Sequence, residues 1–138
     1  MLLLGFGYLM TFLEKFGLGA VGFTMILTVV NMELNIMIEG VLKKVFFEGA
    51  MADFKQSLTL GTIIDAEFSA ATLLITYGAM IGRLSPLQMC SIAVAESFFY
   101  ALNKVCIVFG YLQVEDVGGT LTIHMFGAFF GLAASFVS

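Results

Sequence analysis

Apolar residues run in long blocks along this chain, separated by short polar intervals. Five blocks stand out, at residues 2–13, 18–38, 62–81, 87–111 and 117–137. None alternates apolar and polar residues over about ten positions, as a membrane barrel strand does, so the blocks read as helices. Four approach or exceed the roughly 20 residues that cross a bilayer. The first, with about 12, is either a clipped helix or the end of one that starts earlier. Glu14, Lys15, Phe16 and Gly17 make the turn after it. A polar loop with Lys43, Lys44, Glu48, Asp53 and Lys55 is expected over 39–59. Between the third and fourth blocks stands GRLSP. There Gly82 ends one helix, Ser85 caps the next and Pro86 suits its first turn.

The solvent follows from composition. The chain is 60% hydrophobic and 12% charged, against about 25% charged in a soluble domain. A bilayer is the better solvent, and it admits only structures that satisfy their own backbone groups. The expected fold is therefore all-α and polytopic, with about five transmembrane helices in one membrane domain over 1–138. Lys15 and Arg83 fall on one side and Lys43, Lys44 and Lys55 on the other, a weak bias for orientation. Ten acids against six bases, with no basic stretch, give no reason to expect nucleic acid. Cys90 and Cys106 lie in one apolar block and read as small buried hydrophobes. The N-terminus, MLLLGFGYLM, lacks the positive region and cleavage site of a signal peptide.

Chemistry is concentrated in DVGGTLTIHMFGAFFG, residues 116–131, which holds the only histidine of the sequence, His124. On a helical wheel His124 shares a stripe with Val117, Thr120, Leu121, Gly127, Ala128 and Gly131. The opposite stripe carries Phe126, Phe129, Phe130 and Ala133. The small stripe suits close helix approach or a narrow lumen, and Gly127 with Gly131 forms a GxxxG packing pair. Eight residues rise about 12 Å along a helix, and half the hydrocarbon core is about 15 Å. A His124 at the midplane would put Asp116 at headgroup level. An acid at a mouth and a neutral imidazole deeper in would suit a path that takes a cation and passes a neutral molecule. Two plainer roles stay open: Asp116 as a helix cap, and His124 as a hydrogen-bonding group between helices.

The same stretch resembles the D-x-G-G-x-x-x-I-H-x-F-G-A-x-F-G signature of Rhesus-type ammonia channels, the Rh branch of the ammonium transporter superfamily. GFGYLMTFLEKFGLGAVGF, IDAEFSAA and YGAMIGRLSPLQM resemble further family stretches, in family order from Gly5 to Gly131. The resemblance implies a trimer, homo- or hetero-, of monomers each with its own pore. It implies a conduit for ammonium or ammonia in the lipid bilayer, at the plasma membrane, with no cofactor. His124 falls on the first of two pore histidines, Asp116 on the acid near that site and Phe68 on an outer gate phenylalanine. The 39–59 loop and Asp116 would lie outside and GRLSP inside. Family members have eleven or twelve helices, built on two five-helix repeats of inverted topology. This chain corresponds to the first repeat and one pore histidine. It would be a fragment, a short form, or half of a pore completed by another chain, an antiparallel copy included.

Three departures from the family pattern fall at the mouth. The family's Asn-Asp before the gate is here Asp65 with Glu67, and its Asn-Glu in the fourth helix is here Asn103-Lys104. A lysine there would repel ammonium. Well inside a span it costs roughly 2.5–3.5 kcal/mol, less if it snorkels, and Glu115 is a candidate partner. Glu33 and Glu96 are expected as protonated or hydrogen-bonded packing groups. Two functions follow: a conducting half-pore, or a non-conducting truncated Rh-like subunit with a structural or assembly role. An enzyme is disfavoured, because no nucleophile–His–acid set, metal cluster or phosphate-binding glycine loop is present.

Overall fold

A computed structural model of the chain describes residues 1–12, 14–48 and 57–137. Its elements are all helical. They are α1 (Leu2–Leu9), α2 (Gly17–Lys43), α3 (Leu60–Met80), α4 (Pro86–Leu102) and α5 (Phe126–Val137). Wide-turned π segments extend α4 over Asn103–Leu112 and open α5 over Thr120–Met125. Four stretches are long and apolar enough to cross a membrane: Gly17–Phe47, Leu60–Met80, Pro86–Leu112 and Thr120–Val137. The apolar helix Leu3–Phe12 is shorter. The chain is thus a polytopic all-α membrane protein.

Local chemistry sets the ends. The Thr59 hydroxyl accepts from Thr62 N at the start of α3 (3.2 Å). At α4 the Ser85 hydroxyl accepts from Gln88 N while the Gln88 side chain accepts from Ser85 N, a reciprocal capping box with Pro86 beside it. Gly82 takes a positive φ of 81° just past α3, which an L side chain would resist. Two spans depart from the apolar blocks. The second helix does not stop at residue 38 but runs on through Glu39, because that acid is neutralised within the bundle, as described below. The last span starts at Thr120 and not at residue 117, because residues 116–119 close a turn with Gly119 N donating to Asp116 O (3.2 Å). Of the expected polar loop, residues 49–56, with Asp53 and Lys55, lie outside the described residues, as does Leu13 at the end of the first block.

Beside an apolar core that includes Leu27, Leu73, Tyr77 and Met89, the bundle buries a polar stripe. The buried face of α2 carries Thr24, Thr28, Asn31, Asn35 and Glu39, spaced by threes and fours. Large apolar residues such as Ile26, Val29, Phe98 and Phe129 face outward. In lipid there is no hydrophobic drive between helices, so hydrogen bonds and close approach hold them. Asn31 does both jobs of a bridge. Its Nδ2 donates to Ser97 Oγ on α4 (2.9 Å) and its Oδ1 accepts from Ser69 Oγ on α3 (2.9 Å). Glu96, fully buried on α4, accepts from Thr76 Oγ1 (2.8 Å), and that hydroxyl also lies 3.2 Å from Gly127 O on α5. Glu33, by contrast, is exposed on α2 and is no packing group within this chain.

The GxxxG pair is a packing seam. Gly127 lies against Thr72 and Ile75, and Gly131 against Thr76 and Ala79, so α3 and α5 run parallel. A Cβ on Gly127 would stand 3.0 Å from Thr72 O, which is backbone and cannot step aside. We expect Gly127→Val to cost about 1–3 kcal/mol through overpacking. Gly22→Ala, whose added methyl meets open space, should cost nothing measurable. Denaturation of both variants in detergent, followed by circular dichroism, checks the contrast.

Candidate functional site

The end of the bundle where the last span begins gathers most of the sequence-predicted residues. Asp116 sits just before that span and collects its orphan donors. Oδ1 accepts from Thr120 N (2.8 Å), and Oδ2 accepts from Leu121 N (2.9 Å), Thr122 N (2.8 Å) and Thr122 Oγ1 (2.9 Å). Partial burial pushes the carboxyl upward, but the hydrogen bonds from Thr122, Leu121 and Thr120 outweigh it and hold Asp116 below its ordinary value. Asp116 is therefore a cap with both oxygens engaged. Gly119, at φ 66°, must be glycine: a Cβ there would collide with the Ile123 side chain.

His124 stands on the outside of this chain, exposed, with Nδ1 3.2 Å from Gly119 O. The same carbonyl accepts from Ile123 N and His124 N, the second of these being the five-residue bond of a π turn. The span begins only at Thr120, so His124 lies four residues into it, about 6 Å along its axis. The turn at 116–119 means that the rise of eight helical residues from Asp116 does not apply.

Phe68 belongs with it. The α5-facing stripe of α3 steps through Thr72, Ile75 and Ala79, and the same spacing carries it back to Phe68. On α5 the stripe through Gly131 and Gly127 steps back to His124. The parallel register puts Phe68 level with Ile123 and His124. Phe68 is 44% exposed and His124 is exposed too, while Ile123 between the helices stays buried. The phenylalanine stripe of α5 splits. Phe126 packs on Tyr100 with ring centroids 6.0 Å apart, Phe130 on Phe99 at 6.2 Å, and Phe129 faces outward. An apolar hollow of about 360 Å³ lies along this side, lined by Asn103, Leu121, Met125, Phe126, Phe129 and Phe130.

Lys104 neither snorkels nor reaches toward Glu115. It is 6% exposed, and its Nζ lies 3.1 and 3.3 Å from the two carboxylate oxygens of Glu39 and 3.2 Å from Asp65 Oδ1. Glu39 also pairs with Lys43 one turn on (2.7 Å). The two departures noted at positions 65 and 104 are thus in contact: an acid on α3 and a base following α4 meet over Glu39 of α2. Glu67, partly buried on α3, is not among the described ion-pair partners of Lys104. Glu39 was missed because it was counted as loop, although its spacing from Asn31 and Asn35 continues the buried stripe of α2.

Comparison with known proteins gives one family. The Ammonium Transporter Family matches residues 1–138. The chain is 38% identical over 132 residues to ammonium transporter Rh type B of Tetraodon nigroviridis, covering 96% of this chain and 28% of that protein. It is 36% identical over 135 residues to the Rh type B protein of Bos taurus, covering 98% and 28%. It is 35% identical over 137 residues to the Rh type A protein of Canis lupus familiaris, covering 98% and 31%. The chain therefore spans less than a third of the length of these curated relatives.

The Asp116 cap has a pH signature. Its folded value lies below the ordinary 3.8, so its contribution is complete above that pH and is lost as pH falls through the lowered value. Asp116→Ala should cost about 1–2 kcal/mol near neutrality. Asp116→Asn should remove the share of acid sensitivity that this carboxyl supplies. Unfolding midpoints taken from about pH 6 down to about pH 3 check both.

Proposed function

Since the chain belongs to the Ammonium Transporter Family, we propose that it lines one half of a hydrophobic conduit for ammonium or ammonia. One observation carries this reading. The sequence's one imidazole is not buried between the helices, as neighbouring Ile123 is, but stands exposed at the level of Phe68. A hydrogen-bonding ring that served only to join these helices would sit inside the seam. On its open flank it is available to a facing wall. Gly119 O engages Nδ1, which leaves Nε2 to face the conduit. Asp116 holds the turn that sets the depth of the ring, and acts as a positioning residue. Phe68 would narrow the approach, and Asp65, Glu67 and Lys104 would border the outer vestibule.

The facing wall is outside this chain: a further stretch of polypeptide or a second subunit would supply it. We place the intact protein in the plasma membrane as a homo- or hetero-trimer, with GRLSP on the inner side. A second reading has one observation in its favour. Lys104 neutralises acids at the proposed mouth, which fits a non-conducting Rh-like subunit with a structural role.

In the intact protein, reconstituted in liposomes, His124→Ala should lower ammonia flux by about tenfold, a barrier change of about 1.4 kcal/mol, with assembly unchanged. Unchanged flux under an ammonia gradient would remove the pore role. This chain reconstituted alone should give little or no stopped-flow alkalinisation, and brisk alkalinisation would point to self-assembly of two such halves.

A further inference from the structure

A carboxyl stands on the outer face of α2 at the depth where lipid offers it least. Asn31 links Ser69 and Ser97 across three helices. Each of the three lies within two residues of the midpoint of its span: residue 30 of Gly17–Lys43, residue 70 of Leu60–Met80 and residue 99 of Pro86–Leu112. Three helices therefore agree on the middle of the bundle. Glu33 is two residues past Asn31, about 3 Å along the axis, so about 12 Å of hydrocarbon still separates it from the nearer surface. It lacks the long stem with which a lysine or arginine snorkels.

Two residues also turn a helix by about 200°, so Glu33 points away from the partners of Asn31 on α3 and α4. It is exposed, and it makes no hydrogen bond or ion pair among the described residues. Glu96, also near mid-depth, is buried and accepts from Thr76 Oγ1 (2.8 Å). The neighbours of Glu33 along its stripe, Ile26, Val29 and Met37, are each more than half exposed. Hydrocarbon holds no donor, and an acid within a span sits against protein or a water-filled cavity. A stripe that is otherwise apolar suits a packed helix and not water. This face belongs to α2, whereas His124 stands on the last span and Phe68 on α3.

We propose that in the intact protein a transmembrane helix from outside residues 1–138 covers the Glu33 face of α2, and that it presents at mid-depth a side chain donating a hydrogen bond to the Glu33 carboxyl. Amide, hydroxyl and basic groups are donors of that kind. Charge and length select this occupant. A second copy of the same face would bring Ile26, Val29 and Met37 and a second acid in place of a donor. The matched region is 28% of the Tetraodon nigroviridis relative and 31% of the Canis lupus familiaris one, so more than two thirds of each lies outside it. The inference rests on depth and exposure and is independent of conduction, so its failure and that of the conduit reading are separable.

The test uses the intact protein in membranes, with a small diazirine amino acid in place of Val29, one turn from Glu33. Photolysis should join position 29 to a peptide outside residues 1–138, identified by mass spectrometry. The same probe in place of outward-facing Phe129 is the lipid control. Adducts at position 29 confined to lipid or to residues 1–138, a second copy included, would overturn the proposal. Melting temperatures in detergent test the donor separately. Glu33→Leu should melt about 2 °C or more below the native protein, because it leaves the donor buried and unpaired. Glu33→Gln, whose amide oxygen still accepts, should lose less. A face on lipid would reverse the order, since leucine is preferred there to an acid. A Glu33→Leu variant no less stable than the native protein, or than Glu33→Gln, would overturn the donor. Failure of Glu33→Leu to fold while Glu33→Gln folds would uphold it. The cross-link is read with Glu33 in place and needs neither variant.

Discussion

A polar group taken out of water must find its partner inside the protein, and the bundle is arranged around that constraint. Hydrocarbon offers no hydrogen bonds, and an unsatisfied group there costs several kcal/mol. The inner face of α2 carries Thr24, Thr28, Asn31, Asn35 and Glu39 beside the apolar Ala20 and Leu27, and Asn31 and Glu39 reach across to α3 and to the end of α4. Asn31 ties Ser69 to Ser97, and Lys104 ties Glu39 to Asp65. Each link fixes the rotation of two helices at once. An apolar interior in an apolar solvent would fix neither.

That constraint also shapes the proposed site. With α2, α3 and α4 locked by their polar stripes, α3 presents a smooth face to α5. Gly127 and Gly131 let backbone approach backbone there. The seam at Gly127 and Gly131 has no room for an imidazole, and His124, three residues earlier in the preceding turn, stands on the exposed side while Ile123 fills the inside. Asp116 determines which turn that is, because its carboxylate gathers three amides and a hydroxyl of the first helical residues. A cap and a functional acid are then one residue: the hydrogen bonds that begin the helix also hold the ring at its depth.

Much of this was legible in the residues. Block length and low charge indicated membrane helices, Gly82, Ser85 and Pro86 marked a helix junction, and the GxxxG spacing marked close packing. The motif from Asp116 to Gly131 led to the family. What escaped had physical causes. A wheel assumes one uniform pitch, whereas Thr120–Met125 winds wider and residues 116–119 form a turn, so the eight-residue helical rise drawn from Asp116 does not hold over this stretch. Glu39 was counted as loop because charge normally ends a span; its neutralisation by Lys104 and Lys43 is visible only in three dimensions. For the same reason Lys104 found its partner on α2 and α3, far off in sequence, and not at nearby Glu115.

The central claim is that the His124 flank faces a polar path and not lipid tails. Substituted-cysteine labelling addresses it directly, using the intact protein in membranes with Cys90 and Cys106 replaced and His124→Cys introduced. The account predicts that a charged, water-borne thiol reagent added from the Asp116 side modifies position 124, while a cysteine at outward-facing Phe129 reacts only with a lipid-soluble reagent. Modification of position 124 by the lipid-soluble reagent alone would contradict it.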